Sequence, residues 1–144
     1  MKTHTGYSMR EKKLLNGWAE CLNSIPWSSF CTFTCYHPLS KNAARVKMER
    51  MAENLKDQYS DTFRMFWVAE PFASKDYHVH SLIQLDCPAI ATKQIIINEW
   101  HEVSPPVGYK KHNLVLVEEY EPAKGGHIYV AKYLQMQNID YDIH

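Results

Sequence analysis

No run of apolar residues in this 144-residue chain is long enough to cross a membrane, so a membrane partner is not expected. The opening stretch MKTHTGYSMREKK has no apolar core of the kind a secretory signal needs. Neither sign of charge prevails: 16 Lys and Arg stand against 16 Asp and Glu. That balance excludes a general coat of positive charge for holding a polyanion, but leaves room for a local basic site. The four cysteines, Cys21, Cys31, Cys35 and Cys87, lack paired metal-ligand spacing, so a structural zinc site is not expected. They read as reduced thiols, which places the chain in the cytoplasm of its host cell. The chain has no internal repeat, no low-complexity tract and no phosphate-binding P-loop.

What is present suits one domain over residues 1–144. Hydrophobic residues make up 45% and charged residues 22%, the balance of a globular fold. A chain of this size buries roughly two thirds of its unfolded surface, so no disulfide staple is needed. Charge is uneven along it. Residues 1–60 hold nine Lys or Arg against five Asp or Glu, and residues 61–144 hold seven against eleven. The first part suits a polyanion and the second a cation, unless the split is scatter over two solvated faces.

Ser8 and Glu11 have capping-box spacing, and Leu14, Leu15, Trp18 and Leu22 share a face, which predicts a helix from Ser8 to Leu22. Ser29 to Cys35 alternates and is rich in Phe and Thr, so it reads as a strand. A helix over Ser40 to Tyr59 follows, with an apolar stripe of Val46, Met48, Met51, Ala52 and Leu55. Phe63 to Glu70 and Tyr77 to Leu85 read as the two strands of a hairpin about a Ser74-Lys75-Asp76 turn. Thr92 to Glu102 reads as a helix, with strand as its rival because of three consecutive Ile residues. Asn113 to Tyr120 reads as a strand and Ile128 to Gln137 as a helix. This order predicts an α+β fold, a central antiparallel sheet of about four to five strands with helices packed on it, of ferredoxin-like kind. Such a fold does not decide function.

The sharpest chemical feature is His78-Val79-His80. Residues two apart in a strand point to one face, so both imidazoles project together while Val79 enters the core. Two neighbouring imidazoles begin a divalent metal site; the plain alternative is two unrelated surface histidines. Glu70 ends the preceding strand, and antiparallel pairing carries it towards His78. One carboxylate and two imidazoles leave open coordination positions, which suits Mn²⁺ or Mg²⁺ better than a structural zinc. The second feature is Tyr129-Val-Ala-Lys132-Tyr133. At i, i+3 and i+4 on a helix, Tyr129, Lys132 and Tyr133 share a face. A phenol with a pKa of about 10 is a poor nucleophile unless a cation steadies the phenolate, and Lys132 and a bound metal would both do so. The alternative is an amphipathic helix whose tyrosines pack against the core. Gly125-Gly126 before this helix allows a hinge or a close backbone approach.

Taken together and in order, these pieces resemble the HUH endonuclease superfamily, which includes rolling-circle replication initiators, relaxases and related transposases. The strand motif of the type F-x-T-x-T is Phe30-Cys-Thr32-Phe-Thr34, the His-hydrophobic-His motif is His78-Val79-His80, and the Tyr-x-x-Lys motif is Tyr129-Val-Ala-Lys132. Glu70 stands where the superfamily's acidic ligand is expected. Tyr129-Val-Ala-Lys132-Tyr133 further resembles the replication proteins of small phages and plasmids, although the second lysine common after that motif is replaced by Leu134-Gln135-Met136.

The resemblance implies metal-dependent, sequence-specific nicking and joining of single-stranded DNA at a replication origin. Tyr129 would form a covalent 5′-phosphotyrosine bond, Lys132 would steady charge, and Tyr133 would serve as a second nucleophile. It implies a divalent metal held by Glu70, His78 and His80, and a separate helicase partner. Exposed aromatics and local cations would hold the strand: Tyr36, His37, Lys41, Arg45, Lys110 and Lys111. The competing readings are a single-tyrosine transposase of the same superfamily and a noncatalytic module binding single-stranded nucleic acid.

Overall fold

The computed structural model describes residues 8–35, 37–59, 61–105, 115–134 and 136–144. Tyr36, Lys110 and Lys111, expected as DNA contacts, lie outside the described residues. Helix α1 spans Met9–Asn23, capped by Ser8 and Glu11 in the anticipated reciprocal box. Strand β1 covers Ser29–Phe33, α2 Lys41–Gln58, β2 Arg64–Pro71, β3 Tyr77–Gln84, α3 Ala89–Val103 and β4 Val115–Glu119. A 3₁₀ turn at Pro122–Lys124 leads into α4, Gly126–Tyr133, and the chain returns as β5, Asp140–Ile143.

The five strands form one antiparallel sheet in the order β4-β1-β3-β2-β5. Helices α2 and α3 cover one face, where Phe33, Met65, Trp67, Val79 and Ile83 join Met48, Met51, Leu55, Ile96 and Trp100 in the larger core. Helices α1 and α4 cover the other, packing Leu22, Val130 and Ala131 on Phe66, Val68 and Leu82. Strand alternation explains the split: neighbours such as Phe66 and Trp67 enter different cores, so β2 and β3 are apolar on both sides.

Two expectations need correction. Val46 is 50% exposed and does not belong to the buried stripe of α2, which runs through Ala44, Met48, Met51, Ala52 and Leu55. Helix α4 ends at Tyr133 rather than Gln137: the Leu134 and Met136 amides bond three residues back, to Ala131 and Tyr133. The α3 segment is the expected helix and not its rival strand, because Thr92, Ile96, Trp100 and Val103 recur at helical spacing and are the buried positions.

Strand β5 was not anticipated. It pairs with β2 from Phe66–Ile143 to Ala69–Asp140. Its acidic residues are drawn in by Arg45, whose Nε lies 2.7 Å from Asp140 and whose Nη1 lies 3.2 Å from Asp142 and 2.8 Å from Glu49. The guanidinium also sits 5.1 Å from the Trp67 ring. Hydrogen bonds from Arg45 pull the Asp140 carboxyl below its usual range.

Candidate active site

The register builds the site on the α1/α4 face of the sheet. Thr32 on β1, His80 on β3, Val68 on β2 and Tyr141 on β5 stand in one row across it. In the next row Glu70 stands opposite His78. Thr32, His78, His80 and Glu70 therefore face the same way, while Val79 is buried in the opposite core.

His78 Nε2 is 2.6 Å from Glu70 Oε1, and His80 Nε2 is 3.6 Å from the same oxygen. The three residues offer ligand atoms within 4.8 Å of one another. Burial raises the Glu70 carboxyl, but hydrogen bonds with His78 and His80 and their charge outweigh it and pull the group down to about 2. Glu70 is thus an anion at neutral pH, as a ligand must be. His80 Nε2 and His78 Nδ1 are buried with no hydrogen-bond partner. Such orphaned nitrogens are costly, and a cation accepting the lone pair of His80 Nε2 would remove one of them. The donors fit a divalent metal.

Two neighbours orient the imidazoles. Thr32 Oγ1 lies 3.2 Å from His80 Nδ1. With the proton on Nδ1 donated to Thr32, Nε2 is left free to coordinate. The Phe72 ring, just beyond β2, stacks on His78 at 3.8 Å with 23° between the planes. Neither contact was foreseen. Thr32 lay within the strand motif without a role, and only the hairpin turn brings Phe72 back over His78.

Helix α4 carries both tyrosines to the metal ligands. Tyr133 stacks on His80, with ring centres 5.2 Å apart and planes at 12°, and Tyr129 meets the same imidazole edge-on at 5.2 Å. The Tyr133 hydroxyl donates to the Tyr129 hydroxyl at 2.7 Å. Burial, the Tyr129 bond and the Glu70 charge all raise the Tyr133 pKa. Tyr129 is 41% exposed and open to a ligand. Lys132 is half-buried on the same helix and makes no hydrogen bond or ion pair with the described residues.

The entry to α4 is shaped by its glycines. Gly125 has φ 73°, the left-handed conformation, and turns the chain into the helix. Gly126 allows close approach: a Cβ there would lie 3.0 Å from the Phe30 ring and 3.4 Å from that of Tyr120. Tyr120 in turn bonds His127 Nδ1 at 2.8 Å, tying the end of β4 to the first turn of α4.

The structure thus joins Glu70, His78, His80, Tyr129 and Tyr133. Lys41 and Arg45 lie elsewhere, on the helix that covers the opposite face, and the Arg45 charge is taken up by three carboxylates. His37 is exposed in the loop between β1 and α2. No described helix is long and apolar enough to cross a membrane.

No curated protein and no solved structure matches the chain. The family model for the replication-associated protein ORF2 matches residues 28–138, a span that holds β1, the hairpin ligands and the tyrosine helix. By that match, over most of its length and all of its candidate site, the chain belongs to the replication-associated protein ORF2 family.

Proposed function

We propose that the protein is an HUH-type endonuclease that nicks and rejoins single-stranded DNA at a replication origin, starting rolling-circle replication. The observation that carries this reading is the meeting of two tyrosine hydroxyls with a Glu-His-His cluster through His80. A purely structural cluster needs no exposed phenol beside it.

Glu70, His78 and His80 would hold Mn²⁺ or Mg²⁺. When bound, the metal supplies Lewis-acid polarisation of the scissile phosphate. The chain's own residues do the rest. The Tyr129 oxygen attacks phosphorus, the bond to the 3′ oxygen breaks, and that oxygen leaves as a free hydroxyl after taking a proton. The 5′ phosphate stays on Tyr129 as a phosphodiester, so a later 3′ hydroxyl can reverse the exchange and rejoin the strand. Tyr133 donates to the oxygen that carries charge as Tyr129 ionises. Its own raised pKa makes it the poorer first nucleophile, so it serves second. Lys132 supplies a cation for the phosphate. The duplex is opened by a separate helicase in the host cytoplasm.

The test is covalent capture. The protein is mixed with labelled single-stranded DNA and Mn²⁺ and run on a denaturing gel. An upshifted band that resists denaturant, disappears with EDTA and is lost in Tyr129→Phe is the expected result. Reversible binding without an adduct would overturn the nicking reading in favour of a binding module. A single-tyrosine transposase would cleave transposon ends and ignore loss of Tyr133.

A further inference from the structure

Beside Tyr129 the sheet and the start of α4 enclose a pocket that the proposed chemistry does not use. Phe30, Tyr120 and Tyr129 contribute rings to its lining, Glu118 and Glu121 contribute carboxylates, and His80 borders it. Phe30 and Tyr129 meet edge to face at 5.8 Å. Glu118 pairs with Phe30 across the β1–β4 ladder, so its side chain rises on the face that carries the metal ligands. Glu118 is exposed and has no hydrogen-bond or ion-pair partner among the described residues, whereas Glu121 is 3.6 Å from Lys124. His80, which borders the pocket, is 5% exposed and keeps its Nε2 unpartnered.

This lining selects among the parts of a DNA strand. Phosphates are anionic, and the carboxylates repel them. A base is flat and neutral and finds aromatic rings to pack on. Carboxylate oxygens only accept hydrogen bonds. Guanine presents two adjacent donors on its Watson–Crick edge, N1–H and the 2-amino group, which match the two oxygens of one carboxylate. Adenine and cytosine each set a single amino donor beside a ring acceptor, and thymine sets N3–H between two carbonyls. Those acceptors face carboxylate lone pairs and are repelled.

We propose that this pocket is a base-reading subsite in which Glu118 recognises a guanine next to the scissile phosphate, so that the strand is placed on Tyr129 by its sequence. The inference rests on the nicking reading for the position of that phosphate, but base discrimination is a property of the pocket itself.

A library of short single-stranded DNAs, randomised around the cleaved position, is captured covalently with Mn²⁺ and sequenced. Guanine should be favoured by about tenfold at one position beside the joined phosphate. Glu118→Gln, which exchanges one acceptor oxygen for a donor, should erase that preference at the same position alone, and Glu118→Ala should do likewise. A wild-type preference unchanged in both variants overturns the proposal while the nicking reading stands. A change only in the Mn²⁺ concentration needed, with base preference intact, means that the pocket holds a cation and also overturns it. If no adduct forms at all, the nicking reading fails. The subsite is then decided by selecting the same library for reversible binding in EDTA: a Glu118-dependent guanine preference upholds it, and none refutes it.

Discussion

The hydroxyl of Tyr133 donates to that of Tyr129 across 2.7 Å, one helical turn apart, above the imidazole of His80. The bond makes the two phenols unequal. The donor is the more buried, and the acceptor is the exposed one that a strand can reach.

Tyr129→Phe should therefore abolish covalent capture. Tyr133→Phe should leave capture intact but slow it by roughly tenfold to a hundredfold, since a hydrogen bond to a charging oxygen contributes about 1.5–3 kcal/mol. Rates of adduct formation in single-turnover gels check this. Capture surviving in Tyr129→Phe and lost in Tyr133→Phe would reverse the assignment.

Thr32 fixes the tautomer of His80 through a 3.2 Å contact to Nδ1. Thr32→Val keeps the shape and removes the hydroxyl. Losing such a supporting bond lowers metal affinity by about tenfold to a hundredfold. Isothermal titration with Mn²⁺ should show that loss, and Thr32→Ser should restore binding. Equal affinities in all three proteins would remove Thr32 from the account.

At Gly126 an added methyl would press on Phe30 at 3.0 Å. Alanine gains about 1 kcal/mol in helix propensity, while overpacking costs about 1–3 kcal/mol. Gly126→Ala should lower the thermal midpoint slightly. It should slow capture more than it lowers stability, because α4 moves away from His80. Unchanged capture with unchanged stability would show that the rings give way freely.

Burial lowers the pKa of His127, which accepts the Tyr120 hydroxyl in its neutral form. An unfolded histidine titrates near about 6.5, so below that pH the unfolded chain binds a proton that the fold refuses. The resulting stability is complete above about pH 6.5 and is lost as pH falls towards the lower folded value. Thermal midpoints should drop between about pH 7.5 and pH 5.5, and less so in His127→Gln, which keeps an acceptor without a titrating ring. Parallel curves for the two proteins would contradict this.

Much of this fold was legible in the chain because its signals are local. The Ser8–Glu11 box, the helical spacing of Met48, Met51 and Leu55, and the alternation around Thr32 each act over a few residues. His78 and His80 share a face by strand geometry alone, and the short turn at Ser74-Lys75-Asp76 brings Glu70 opposite. The metal-capable cluster was therefore readable before any tertiary structure.

Strand β5 was not readable, because Asp140-Tyr-Asp-Ile143 has no apolar alternation of its own and becomes a strand by pairing with β2 and meeting Arg45. The same arginine looked like a free cation until its partners, about a hundred residues distant, were in place. The inequality of the two tyrosines, the Thr32–His80 contact and the pocket under Tyr129 also emerged only in three dimensions. Residue types and local periods belong to the chain alone. Burial and hydrogen-bond partners depend on segments that meet only when the sheet closes, and these settled which tyrosine is open, which histidine nitrogen is free and which charge is spent.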